Sequence, residues 1–246
     1  MALVFVLSFA SLRGLVASED PVAPPPKDQD PTVAERGYFD KFPHAWNDFH
    51  KLFLERAKQG PVELLFIGDS ILQGWGDAAQ KDLWKANFEA YKSANFSIGG
   101  DRTQQVLWRI ANGELDSISP KVIVLQIGSN NLWANDPAEK IADGIKKIVE
   151  TIRKKLPNSK LLLLGILPAQ KSGSDSIREK IKQINAVSAT LSAGASVRFL
   201  DIGTSLLDSA GNADPDSYQA DFVHLKTKGY ETWAKAVKPA IAELMK

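Results

Sequence analysis

Val122-Ile123-Val124-Leu125-Gln126-Ile127 is apolar nearly throughout. A strand that reads this way is buried on both faces, as in parallel sheets whose crossover helices cover each side. Four further segments read as strands at about Glu63 to Ile67, Ala94 to Ile98, Leu161 to Leu164 and Val197 to Ile202. Helical spacing fills the intervals. Trp46, Phe49 and Phe53 mark an amphipathic helix between Tyr38 and Lys58, and Gln59-Gly60-Pro61 ends it. Further helices are predicted after Gly68, from Thr103 to Ala111 with Asp101 as a possible cap, and from Asp136-Pro137 to about Leu156. Two more run from Ser176 to Leu191 and from near Thr227 to the terminus, the last with a possible bend at Pro239. Strands alternating with helices predict an α/β fold built on one parallel, doubly wound sheet.

The start of the chain reads differently. Leu3 to Leu12 is a mostly apolar run of signal-peptide length, and Val16-Ala17-Ser18 offers small residues for cleavage before Glu19. Residues 1–18 are therefore expected to be a signal peptide, although no Lys or Arg precedes the apolar run, and the protein is expected to be exported, to the periplasm or the outside. Without such processing it would be cytoplasmic. Residues 19–31, with Pro24-Pro25-Pro26, have the composition of a linker. Residues 32–246 are expected to form a single domain.

Composition excludes several functions. With 30 basic residues against 29 acidic ones, no global field recruits nucleic acid or an anionic membrane. The early apolar run is too short for stable membrane insertion. The absence of cysteine removes disulfides, thiolate catalysis and cysteine-bound zinc. Histidine occurs at three positions only, His44, His50 and His224. They are too few and scattered for a metal cluster, so neither metal nor cofactor is expected, though carboxylates alone could hold an ion. The turn at Gly68 lacks both the Gly-Lys-Ser/Thr ending of a P-loop and a Gly-x-Gly-x-x-Gly fingerprint.

Polar segments stand where strands end. Leu64 to Ile67 runs into Gly68-Asp69-Ser70, which places Ser70 at the carboxyl edge of the sheet, where ligands bind in open α/β folds. Ser70 there can be a nucleophile or a helix N-cap. Gly99-Gly100-Asp101 follows the second strand, and Gly128-Ser129-Asn130-Asn131 the third. Asp221 and His224 are three residues apart before the last helix, close enough on a turn for the carboxylate to accept from one ring nitrogen while the other faces a substrate. Taken alone, the pair also fits a surface Asp and a partly buried His. Taken alone, Asn130 and Gly100 also fit an Asx turn and a flexible turn position. His44 and His50 belong to the first helix, away from any strand end.

In their order, Gly68-Asp69-Ser70-Ile71, Asn95-Phe96-Ser97-Ile98-Gly99-Gly100-Asp101, Gly128-Ser129-Asn130-Asn131 and Asp221-x-x-His224 resemble the four sequence blocks of the SGNH, or GDSL, hydrolases. Gly99 to Thr103, Val106-Leu107-Trp108-Arg109 and Asn112-Gly113-Glu114-Leu115 further resemble the branch that contains the catalytic subunits of platelet-activating-factor acetylhydrolase and their bacterial relatives. The resemblance implies Ser70 as nucleophile, His224 as general base and Asp221 as the group that orients the imidazole. It also implies an oxyanion hole made by the Ser70 and Gly100 N–H groups and the Asn130 side chain. The implied fold is a flavodoxin-like three-layer sandwich with a five-stranded parallel sheet of order 2-1-3-4-5.

Two positions depart from the family pattern. Ser97 stands where this branch usually has glycine, so its side chain could narrow the pocket or strain the strand end, and Ile71 replaces a leucine and is expected to pack in its helix. Asp69 is expected to fix its turn and Asn131 to shape its loop. Arg102, Trp75 and Trp133 could border the pocket, with packing or surface hydrogen bonding as the default for each. The expected function is a metal-independent serine esterase for short-chain acyl esters, acetyl above all, on carbohydrate or small-molecule substrates. An acetylated phospholipid is the alternative substrate, and a weakly active binding or assembly protein of the same fold is the alternative from another class. The sequence shows no device that fixes an oligomeric state.

Overall fold

The computed structural model describes residues 30–37, 43–194 and 196–246, with side chains of the first helix described from Trp46 onward. The expected signal peptide, most of the linker, the segment before Pro43 and the His44 side chain lie outside the described residues. Five strands, β1 (Leu64–Gly68), β2 (Ser93–Ser97), β3 (Val122–Gln126), β4 (Lys160–Leu164) and β5 (Val197–Leu200), form one sheet in the order β2-β1-β3-β4-β5. All four pairings are parallel, and Gly68 at the carboxyl end of β1 stands level with Ser97 on one side and Gln126 on the other. The fold class and strand order implied by the family resemblance are those observed.

Alternation along the strands sends side chains to two separate cores. Leu65 and Ile67 face one cluster, which holds α1 (Pro43–Lys58), α4 (Thr103–Ala111), α6 (Ala138–Lys155) and α7 (Ser176–Ala189) against the sheet. Leu64 and Phe66 face the other, beneath α2 (Ser70–Gln73), α3 (Lys81–Phe88) and α8 (Thr227–Leu244). The second core is aromatic: Trp75 lies edge-on to Phe88, Tyr230 and Trp233, with ring centres 5.2, 4.8 and 5.4 Å away. Trp75 is thus a core residue. No helix among the described residues is long and apolar enough to cross a membrane.

Several local expectations change. The segment after Ser70 is broken into the four-residue α2, two 3-10 turns at Gly74–Gly76 and Ala78–Gln80, and α3. The cap of α2 is Asp69, whose Oδ1 accepts the Ile71 N–H at 3.0 Å, and Ser70 is the first helical residue. Asp101 does not cap α4; the cap position is Arg102, because the Asp101 carboxylate is taken by partners distant in sequence. Likewise α6 begins after Pro137, and Asp136 accepts from Asn131 Nδ2 at 2.8 Å. α8 runs through Pro239 to Leu244. Ile71 is buried in the second core, as expected.

Candidate active site

β1 delivers Ser70. Gly68 is required at its end, since a Cβ there would stand 2.2 Å from the Gln126 carbonyl oxygen of the neighbouring strand. Asp69 then starts α2, and its burial pushes the carboxyl up to about 6, against the opposing pull of the Ile71 N–H and the nearby His224 ring. α2 is held in turn from α8, where the Tyr230 hydroxyl donates to the Ile71 carbonyl at 2.8 Å.

The turn between β5 and α8 delivers Asp221 and His224. Asp221 Oδ1 accepts the N–H groups of Val223 and His224, both at 3.0 Å, and so fixes the turn. Its Oδ2 is left for the ring, 2.6 Å from His224 Nδ1. Burial raises the Asp221 carboxyl, but the hydrogen bonds from the His224 ring and from the two N–H groups outweigh it, and the net direction is down. Phe222 between them has φ 50°, a left-handed conformation uncommon for a bulky residue. The Phe222 carbonyl accepts from Gln170 N at 3.0 Å, and the His224 carbonyl from Gln219 N at 2.8 Å. His224 Nε2 lies 3.0 Å from Ser70 Oγ. With the ring proton placed on Nδ1 to satisfy Asp221, Nε2 accepts the hydroxyl proton. Hydroxyl, imidazole and carboxylate thus form one hydrogen-bonded row, an arrangement that can turn serine into an attacking nucleophile.

Two further segments approach Ser70. Ile98 to Asp101 form a β-turn closed by Asp101 N to Ile98 O at 3.2 Å, with Gly100 at φ 83°, the third position at which a type II turn needs glycine. Gly99 packs against Ser70, since a Cβ on it would meet Ser70 Cβ at 3.4 Å, and its N–H donates to Gln73 Oε1 at 3.0 Å. Asn130, on α5 (Ser129–Trp133) after β3, donates one amide hydrogen to the Asp101 carbonyl at 2.8 Å. Asn131 ties the same two loops. Its Oδ1 accepts Thr103 N at 3.0 Å and its Nδ2 donates to Gln104 Oε1 at 3.0 Å, so its hydrogen bonds reach beyond its own loop.

Other candidates lie elsewhere. His50 is buried in α1, stacked on Trp46 with its Nδ1 3.8 Å from Glu114 Oε2. The backbone of Ser97 has no positive φ, and its buried hydroxyl finds no hydrogen-bond partner among the described residues. It shares a strand face with Asn95, which donates to the Leu72 carbonyl at 2.6 Å, so Ser97 points under α2. Arg102 reaches Glu35 at 4.0 Å, and Trp133 is 44% exposed at the end of α5. Gln73 went unnoticed in the sequence, although its spacing of one helical turn from Ser70 puts it over the same loop.

A doubly wound sheet carrying a serine, histidine and aspartate row at its carboxyl edge defines a serine hydrolase. Comparison with known proteins makes this particular: residues 66–232 match the model of the GDSL-like Lipase/Acylhydrolase family, and the chain belongs to that family. Among its relatives, platelet-activating factor acetylhydrolase IB subunit alpha1 of Rattus norvegicus is 36% identical over 202 residues, covering 81% of this chain and 84% of the relative. Subunit alpha2 of the same species is 35% identical over 201 residues, with 81% and 85% covered. A GDSL-like lipase from Bacteroides thetaiotaomicron shares the fold at TM-score 0.62 and 20% identity, over 79% of this chain and 97% of its own.

Proposed function

We propose that the protein hydrolyses short-chain acyl esters, acetyl esters above all, through an acyl-enzyme on Ser70. The observation that carries this reading is the row of Ser70 Oγ, His224 Nε2 and Nδ1, and Asp221 Oδ2, with separations of 3.0 and 2.6 Å. His224 takes the hydroxyl proton as Ser70 attacks the ester carbonyl, and Asp221 orients the ring and stabilises the imidazolium. The Ser70 and Gly100 N–H groups and the second Asn130 amide hydrogen are the donors assigned to the tetrahedral oxyanion. His224 then protonates the leaving alkoxide, and water, activated by the same ring, releases the acid.

The acetyl preference draws on the names of the relatives, both acetylhydrolases at about a third identity. For the alcohol side, Trp133, exposed and one helical turn beyond Asn130 on α5, is the candidate flat apolar surface for a sugar ring or other small leaving group. The same relatives favour a second reading, an acetylated phospholipid. A binding or assembly protein with little activity is the reading that the intact row argues against. Wild type is expected to hydrolyse p-nitrophenyl acetate faster than p-nitrophenyl octanoate, and Ser70→Ala to hydrolyse neither. Equal rates for the two proteins would defeat the mechanism, and an octanoyl preference would defeat the acyl assignment. Acetate release from acetylated xylan against an acetylated alkyl phospholipid separates the leaving groups. Export belongs to the same proposal, and amino-terminal sequencing of the secreted form should begin at Glu19.

A further inference from the structure

Between Gly100 and Asn130, the two donors that come from outside α2, stands Asp101. Its peptide N–H closes the Gly100 turn, and its carbonyl accepts Asn130 Nδ2 at 2.8 Å. Its carboxylate is 1% exposed, and both oxygens are engaged by distant partners. Trp46 Nε1, from α1, donates to Oδ1 at 2.6 Å, and Arg109 Nε, from α4, donates to Oδ2 at 3.0 Å. Arg109 is itself fully buried; its Nη1 donates to the Phe96 carbonyl at the end of β2 at 2.9 Å and to Glu114 Oε2. Buried ion pairs of this kind are weak sources of stability, because desolvation offsets most of the attraction and apolar residues of similar volume often serve as well. What the cluster supplies instead is direction: it fixes one residue whose backbone touches both donors.

We propose that Asp101 is a positioning residue for ester hydrolysis, clamped by Trp46 and Arg109 so that the Gly100 N–H and the Asn130 amide hold a single geometry toward the oxyanion. Helix α1 then belongs to the working apparatus although none of its side chains belongs to the reacting row. This rests on the acyl-enzyme reading above, and hydrolysis of p-nitrophenyl acetate by wild type but not by Ser70→Ala establishes that reading first; if it fails there, the fault lies with the reaction and not with Asp101.

The test compares Trp46→Phe, which removes the Nε1 donor and keeps most of the ring, with Trp108→Phe. Trp108 packs on Trp46 at 5.3 Å between ring centres and makes no hydrogen bond to Asp101. Trp46→Phe is expected to lower kcat about tenfold with KM nearly unchanged, less than the roughly hundredfold or greater loss that follows outright removal of a donor. Its affinity for a trifluoromethyl ketone, whose adduct with Ser70 carries an oxyanion, should fall by a similar factor. Trp108→Phe should keep both quantities. Asp101→Asn, which sets an NH2 donor against either Trp46 Nε1 or Arg109 Nε and removes the charge, should lose more than Trp46→Phe wherever it folds. Wild-type kcat and ketone affinity in Trp46→Phe would overturn the proposal. So would equal losses in the two tryptophan variants, or losses that track only the unfolded fraction.

Discussion

Asn130 has two amide hydrogens and spends one on the Asp101 carbonyl. In the proposed reaction the other faces the oxyanion, so Asn130→Ala is expected to remove a reaction donor and a loop contact together. It is expected to lower kcat about a hundredfold to a thousandfold with a smaller effect on KM, measured on p-nitrophenyl acetate. Gly99→Ala makes a different demand, because the added methyl would meet Gln73 Oε1 at 2.7 Å and Ser70 Cβ at 3.4 Å. Gln73 can swing aside, but the Gly99 N–H then loses its acceptor beside the Ser70 hydroxyl. Activity should fall while the melting temperature changes little, and a melting temperature that collapses with activity would contradict this account. Ser70 was legible because it sits in a short block at a strand end, and Asp221 and His224 because they stand three residues apart just before the last helix. Asp101 was not: reading it as a helix cap used only its neighbours, whereas Trp46 lies 55 positions away. Arg109 stood in a quoted block, but nothing in that block showed that its guanidinium is buried on the Phe96 carbonyl of β2 and on the carboxylates of Asp101 and Glu114.

At the scale of elements, the crevice depends on how closely β1 and β3 approach. A Cβ on Gly68 would stand 2.2 Å from the Gln126 oxygen, a backbone atom that cannot rotate away. Gly68→Ala should therefore push the strands apart and lower stability by about 1–3 kcal/mol, the range of overpacked core substitutions, as read by denaturant unfolding. The central strands β1, β3 and β4 were readable to within a residue or two, because a strand buried on both faces has a nearly unbroken apolar run; the edge strands β2 and β5 carry a weaker form of that signal. The helix after Ser70 was not, because Trp75, Trp84 and Phe88 settle into one aromatic cluster only when the chain breaks into turns between them. Tertiary packing decided that path, not local spacing.

Across the whole molecule, burial sets the response to acid. Asp69 is pushed up to about 6, chiefly by desolvation, whereas the burial of Asp101 is opposed by the paired Arg109 guanidinium and the Trp46 N–H. A carboxyl whose folded pKa lies above its unfolded value binds more protons in the native state, so its contribution to stability is present at low pH and lost as pH rises through the folded pKa. For Asp69 the window runs from about 4 to about 6. Relative to wild type, Asp69→Asn should therefore gain melting temperature progressively between those values and hold the gain above them, as calorimetry would record. A flat difference across the window would refute it. The longest reach in the site has another consequence. Ser70 and His224 bond across 154 positions of chain. During synthesis the serine emerges first and waits for nearly two thirds of the polypeptide before its imidazole exists. Until the turn before α8 has been made, which follows all five strands, the hydroxyl has no ring to take its proton.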